Sequence, residues 1–575
     1  MSSPDHSKAE RQDTTRFTLG ELRARILADE SLSPDRRRDM ASAVASLAKA
    51  LGQPAETIFA DPVSLRPRLA GLTPAMVGLR PGRWRNVLSL TTAALAHASV
   101  VLVQGRIREP PSPEWLVILD LLGTEAMPRF HLWRFARYCT QVGIPPASVT
   151  DASLARYEQD LKARSLVTDP ARCAREVARA WNDASGRFPS WPRRQLTVPD
   201  NRKGFAPALD AYPTSLIEDI DAWCEWLGGA DLFLERPFAP LRPTSVATRR
   251  RQIRAWLGAL VHQGVKPEEL IDLAAAVSPV RARLALKFFW ERAGQTETIH
   301  VHQMAGMALA IARHWAKLSA PEIEQLNKMA KHLRPVAPGM TSRNMSRLRQ
   351  LDDPDRLHAF ARLPDDLMDM ARRTGKGGVH SALLAQTAVV IDLLLAVPMR
   401  LRNLTELRIG KHLRASSDRR MALSIPGGEV KNTVPIEAHL AVDLTKRIRV
   451  YLDRYRPLLA TDGSDWLFPG AKPGTHKTAA GLREQIEKSL AVHCGLQFNP
   501  HLFRHFAAWL TLRNNPGAHG QVQRILGHKS LNATMAFYSG LETSAALENY
   551  DALIDEQRRA PTSDQQPKSR RRRNR

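Results

Sequence analysis

Apolar residues recur at spacings of three and four along most of this chain, the signature of helices that turn one face to a core. Arg37–Leu51, His131–Cys139, Thr248–Val261 and Ser381–Leu395 are the clearest cases. Period-two alternation is scarce. Its best instance is Met421–Glu437, two short runs about Gly427-Gly428, which predicts a β-hairpin. The pattern therefore predicts a mainly α protein with a small β-hairpin or sheet, an α+β class.

Punctuation divides the pattern. Gly186–Pro213 is Pro-rich and basic and reads as a linker. Leu333–Arg349 reads likewise, because Pro335, Pro338 and Gly339 interrupt helix. We expect a helical extension over 1–110, helical domains over 111–200 and 211–335, and an α+β domain over 350–556. A disordered basic tail over 557–575, ending KSRRRRNR, has no large apolar residue with which to pack. Gln141–Asp151 (QVGIPPASVTD) and Gln263–Asp272 (QGVKPEELID) place Gly, Ile/Val, Pro, Val/Leu and Asp in similar order, each after a basic helix holding aromatics. Leu51–Asp61 is a fainter echo. Ordinary helix-turn-helix punctuation explains this similarity, and so do two copies of a small DNA-clamping unit.

Charge turns the question from fold to partner. The 575 residues carry 83 Lys+Arg against 58 Asp+Glu, a formal net charge of +25, and the pI is about 10.4. Such a chain is drawn to polyanions, DNA first and anionic membrane second. Cys139, Cys173, Cys224 and Cys494 have no CxxC or Cys-His spacing, which argues against a disulfide framework or structural zinc and fits a reducing compartment. The first residues lack the apolar core of a signal peptide, and the apolar stretch Ala388–Val397 is too short to span a bilayer and carries Asp392. The expectation is a soluble, cytoplasmic protein.

Chemistry-bearing residues gather in the last third. Arg400 ends a long apolar helix, and Lys431 sits in the hairpin. His501 and Arg504, three apart, share one face at the start of another helix. His528 follows Gly527, and Tyr538 comes ten residues later. Such a set suits a phosphodiester. A tyrosine can attack phosphorus and conserve the bond as a phosphotyrosine, and two guanidiniums can hold the non-bridging oxygens. A histidine can take the tyrosine proton and a lysine can protonate the leaving 5′-oxygen. This chemistry needs no metal and no other cofactor.

In this order the six residues resemble the signature of the tyrosine recombinase (phage integrase) family, Arg…Lys…His-x-x-Arg…(Leu-Gly-)His…Tyr, over about Asp355–Glu556. The resemblance implies that Arg400 and Arg504 clamp the scissile phosphate and that Lys431 is the general acid. It makes His501 the base, His528 a donor to phosphate and Tyr538 the nucleophile. Two departures stand out. Pro398 and Asn403 replace the family's usual Gly and Glu about the first arginine, where Arg402 competes; Arg400 has the better spacing to Leu404 and Leu407. Phe537 occupies the frequent ninth place after the histidine, and Tyr538 is tenth. His493 and His505 read as structural.

Upstream, about Ala211–Leu333 resembles the family's helical, SAM-like core-binding domain, with Arg249, Arg250, Arg251 and Arg254 forming a basic face over Trp256, Leu257 and Leu260. The implied function is that of a mobile-element recombinase or integrase working through a 3′-phosphotyrosine. Its partners would be double-stranded DNA, other copies of itself in a homo-tetramer on paired sites, and possible partner recombinases at the nucleoid. Two alternatives remain: a non-catalytic DNA-binding regulator of the same fold, and a type IB topoisomerase-like nicking-closing enzyme. The LGH box and the absence of a Ser-Lys-x-x-Tyr segment weigh against the topoisomerase.

Overall fold

The computed structural model describes residues 17–101, 110–123, 126–199, 205–230, 237–335, 339–374, 378–416, 420–460 and 463–559. Nearly all of the expected basic tail therefore lies outside the described residues. The chain divides into two compact units, 200–338 and the remainder. The architecture is mainly helical with one small antiparallel sheet.

The larger unit holds separate hydrophobic cores. Helices Leu19–Ala28, Pro34–Leu51 and Pro81–His97 bury Leu22, Val44, Leu47, Trp84 and Val87 around the first. Helices Pro113–Asp120, Ala126–Gln141, Asp151–Arg164 and Pro170–Arg187 build the second, where Trp115, Phe135, Tyr157 and Trp181 meet edge to face. The third and largest surrounds helix Val379–Ala396, which packs against helices Pro354–Arg373 and Ala479–Cys494. That helix is apolar on nearly every side because neighbours cover nearly every side. It alone among the described helices is long and apolar enough to cross a membrane, and most of it is buried in this core.

Three strands, β1 (Leu413–Ala415), β2 (Met421–Ile425) and β3 (Ile436–His439), pair antiparallel in that order, with Leu423 opposite both Leu413 and Ala438. The expected hairpin thus exists as β2–β3, but its tight turn at Gly427-Gly428 does not. A longer connection, 426–435, opens with the 3-10 turn Gly427–Glu429. Side-chain chemistry draws the chain out: Lys411 and His412 bond the Glu429 carboxylate at 2.7 and 3.0 Å, and Asn403 donates to its carbonyl at 3.1 Å.

The expected linker from Gly186 is also partly structured. Its helix runs to Arg187, after which Trp191 and Leu196 are buried. Trp181 donates to the Arg194 carbonyl, and the Asn182 amide pairs with both backbone groups of Leu196, all at 2.8 Å. Proline stops the helix, but two apolar anchors hold the segment beyond it. The second expected linker likewise regains helix at Ser342–Leu348.

In the smaller unit, helices Thr214–Gly228, Pro243–His262, Pro279–Arg292, Ile299–His314 and Ala320–His332 enclose Trp223, Trp256, Leu257, Phe289 and Met304.

Candidate active site

Local backbone rules place each side chain. Pro398 follows the end of helix Val379–Ala396, and a Met399 N–H to Val397 carbonyl bond of 2.6 Å turns the chain there before Arg400 caps the short helix Leu401–Thr405. Arg400 Nη1 donates to Asn432 Oδ1 at 3.3 Å, and the Asn432 amide donates in turn to the Gly527 carbonyl. Arg402, two residues on, points to solvent and pairs with Glu406 at 2.8 Å. The two arginines differ in position: Arg400 lines the cavity and Arg402 does not.

His501 stands at the N-terminus of helix Leu502–Asn514, whose first amides are bonded by the Asn499 side chain. Arg504 and His505 follow within the first turn, both buried. Arg504 donates to the carbonyls of Pro398 and Leu526, each at 2.7 Å, and lies 3.3 Å from His528 Nε2. One guanidinium thus ties three segments together. Gly527 ends helix His519–Leu526 with φ +59°, a left-handed turn that suits glycine and delivers His528 to the cavity.

His528 Nδ1 lies 3.0 Å from Thr534 Oγ1, whose own proton goes to the Ser530 carbonyl. Nδ1 is therefore the protonated nitrogen, and the Nε2 lone pair faces Arg504. Tyr538 closes helix Leu531–Tyr538, with its ring 12° from parallel to that of His528. Its oxygen lies 3.0 Å from His505 Nδ1, and Phe537 stacks on the His505 ring.

These groups line a cavity of about 470 Å³ that holds Arg400, Asn432, His501, Arg504, His505, His528 and Tyr538, with no carboxylate on its walls. Five of the six residues expected from sequence meet there. Lys431 is exposed on the β2–β3 connection and is not among the lining residues; its neighbour Asn432 is. His501 meets the His505 ring edge-on, and the hydrogen bond to the tyrosine belongs to His505. The sequence pattern marks neither His505 nor Asn432 as functional. Adjacency to the His-x-x-Arg pair is the one available signal for His505.

Electrostatics follow from burial and from the two cations. Burial pushes the Tyr538 hydroxyl up to about 12 against the pull of Arg504. Burial, helped by His501, Arg504 and His528, lowers His505 to about 4. His501 and His528 are also lowered, first by burial and then by Arg504 and Arg400. Arg504 is depressed to about 10 by burial and Arg400. The site thus combines neutral imidazoles, a protonated phenol, two guanidiniums and Lys529 around a carboxylate-free space. Among the described residues, no cluster of three or more His, Cys, Asp or Glu forms a metal site.

Residues 365–544 match the family model described as the phage integrase family. That segment is similar to the family; it covers about a third of the chain. The matched segment spans the cavity and all six expected residues. Similar solved structures include a XerA recombinase (16% identity, 60% of this chain and 99% of that one, TM-score 0.24). A lambda integrase dimer bound to a COC′ core site is another (14%, 66% and 89%, TM-score 0.35). An integrase from mycobacterium phage Brujita is a third (14%, 58% and 92%, TM-score 0.20). No curated protein matches the chain.

In the smaller unit, the four arginines expected to bind DNA divide into two pairs. Arg251 and Arg254 are exposed, whereas Arg250 is ion-paired to Asp221 and half-buried Arg249 bonds Gln252 at 3.1 Å.

Proposed function

We propose that this chain is a site-specific DNA recombinase or integrase that cuts and rejoins duplex DNA through a 3′-phosphotyrosine on Tyr538, in the integration, excision or transposition of a mobile element. The observation that carries the reading is the meeting of Tyr538, His505, Arg504, Arg400 and His528 around one carboxylate-free cavity inside the segment similar to the phage integrase family.

Tyr538 Oη attacks phosphorus, its proton passes to His505 Nδ1, and the bond to the 5′-oxygen breaks. Arg400 and Arg504 donate to the non-bridging oxygens, where charge develops. Lys431, exposed beside the cavity-lining Asn432, protonates the leaving oxygen once DNA draws its connection inward. The 5′-hydroxyl of a partner strand then reverses the sequence, so no ATP or metal is consumed. Unit 200–338 supplies the second arm on the DNA, with Arg251 and Arg254 on phosphates. The working assembly is a homo-tetramer on paired sites in the cytoplasm, at the nucleoid, with room for partner recombinases.

A nicked suicide duplex tests this. Wild type should form a detergent-stable adduct in EDTA without ATP, and Tyr538→Phe should form none while still binding DNA. One observation favours the second reading, a non-catalytic DNA-binding regulator: Tyr538 is only 2% exposed. Wild-type binding without any adduct would select that reading.

A further inference from the structure

The segment echo seen in the sequence belongs to a larger repetition. In both copies a basic helix ends at a glycine with positive φ, Gly143 (+71°) or Gly264 (+90°). The next residue bonds back into the helix, Ile144 to the Cys139 carbonyl at 2.8 Å and Val265 to that of Leu260 at 3.1 Å. A three-residue 3-10 turn follows, Pro146–Ser148 or Pro267–Glu269, and then one buried aliphatic residue, Val149 or Leu270.

The agreement extends far beyond the turn. On the helix before it, buried Leu132, Phe135, Ala136 and Cys139 recur at an offset of 121 as Ile253, Trp256, Leu257 and Leu260. On the next long helix, Leu154, Tyr157 and Leu161 recur at an offset of 128 as Ala282, Ala285 and Phe289. On the last, Ala174, Val177, Ala178, Trp181 and Ala184 recur at an offset of 127 as Val301, Met304, Ala305, Ala308 and Ile311. Common turn chemistry can reproduce a turn. It does not reproduce the buried register of three helices on either side of it.

We propose that residues 113–187 are a second copy of the helical module in 214–314 and bind duplex DNA through phosphate contacts. The inference rests on the reading of the protein as a DNA recombinase. Its charge supports a polyanionic ligand. Helix Ala126–Gln141 has no carboxylate. Helix Pro170–Arg187 has two, Glu176 and Asp183, already paired with Arg179 and Arg187 at 3.0 Å. Among the described residues, Arg134 meets only the Phe130 ring and, at 3.8 Å, the Cys173 sulfur. Arg137 and Arg175, both half-exposed as residues, carry buried N–H donors with no acceptor. Among the described residues none of these three cations pairs with a carboxylate, so their charge is left for an outside anion.

The full chain and a 60-base-pair duplex of arbitrary sequence provide the test. Each phosphate contact contributes about 0.9 to the slope of log K against log salt. The triple variant Arg134→Gln, Arg137→Gln, Arg175→Gln should therefore lower that slope by about 2 to 3 and keep the wild-type melting temperature. Adduct yield at Tyr538 on a short duplex covering only the cleavage site should stay unchanged, which separates failure of this proposal from failure of the recombinase reading. Should the triple variant melt early, Arg134→Gln alone, at a half-exposed position, should lower the slope by about 1. An unchanged slope in a folded variant overturns the proposal. So does loss of self-association with DNA binding intact, which would make the face a protein contact.

Discussion

Replacing His505 with Phe isolates the contact that sequence reading passed over. The ring survives and can still stack on Phe537, but the nitrogen that faces Tyr538 Oη at 3.0 Å is gone. In the free protein the phenol at about 12 and the imidazole at about 4 are separated by about 8 units, or roughly 11 kcal/mol against proton transfer. Burial is the main cause of the low His505 value; an anionic phosphate beside Arg504 offsets the smaller cationic part, so the base strengthens when phosphate enters. Losing it should slow adduct formation by about 10²–10⁴, the usual worth of a positioned base. The variant must then release the proton to solvent. Its log rate should climb by about one per pH unit between pH 7 and 9, because its phenol is far from titrated there. Wild type, with His505 neutral throughout, should be nearly flat. Timed quenching on the nicked duplex across that range reads both rates. A His505→Phe protein with wild-type rate and a flat profile would refute the role.

The same substitution changes acid stability in a defined direction. The folded pKa of His505 lies below the ordinary 6.5, so the unfolded chain binds more protons between about pH 4 and 6.5. Stability is therefore full above pH 6.5 and falls as pH drops toward 4, by about 3 kcal/mol for this one buried group. His505→Phe should flatten that part of a denaturant-midpoint curve. At neutral pH it should cost about 1–3 kcal/mol, because the buried phenol loses its partner.

Two further outcomes rest on placement. Arg400→Ala should cut adduct formation by about 10²–10³, as loss of one transition-state donor does. Arg402→Ala, which removes only an exposed pair with Glu406, should leave it within about twofold; the reverse ranking in the trapping assay would reassign the first arginine. Truncation after Leu541 removes helix Thr543–Arg559, in which Ala545 is buried but Leu547, Tyr550 and Leu553 stay more than half exposed. If that exposed stripe docks on a second copy, single-site binding should survive and paired-site assembly, read by native gel shift, should be lost; full recombination by the truncated chain would place the stripe outside the assembly.

Much of this was legible because it is periodic. Three- and four-residue spacing marks helices wherever one face is buried, and the strand signal at Met421–Ile425 and Ile436–His439 survived because both runs alternate. The connection between them was not legible. Its length is set by Glu429 reaching Lys411 and His412 and by Asn403 holding the Glu429 carbonyl, contacts between segments that no local pattern encodes. The same limit hid His505. Its partner lies 33 residues away, and the bond forms because helix Leu531–Tyr538 brings the tenth-place tyrosine, and not Phe537, to the imidazole nitrogen. Conversely, Gly186–Pro213 looked like a tether because proline and charge dominate its composition, while the two residues that anchor it, Trp191 and Leu196, are a small share of it.

The cavity also explains why its departures from the family pattern are compatible with one another. A half-buried guanidinium beside a buried one is an unfavourable pair, and a nearby carboxylate would relieve both. It would also occupy the place a phosphate must take. Here the carboxylate is kept away. Asn403 stands where the family usually has Glu, Asn432 offers Arg400 only an amide oxygen, and Arg504 is satisfied by two carbonyls. The nearest acid on the connection, Glu429, is held by Lys411 and His412 and lines no part of the cavity. Neutral partners fix the direction of each cation without neutralising it, so the positive field persists until an anion enters. That field adds to burial, the main cause, in depressing the pKa values of Arg504 and the three histidines. A preformed anion site imposes that cost on the free protein, and under the proposed function a diester phosphate, which carries one charge and no proton to lose, would relieve it.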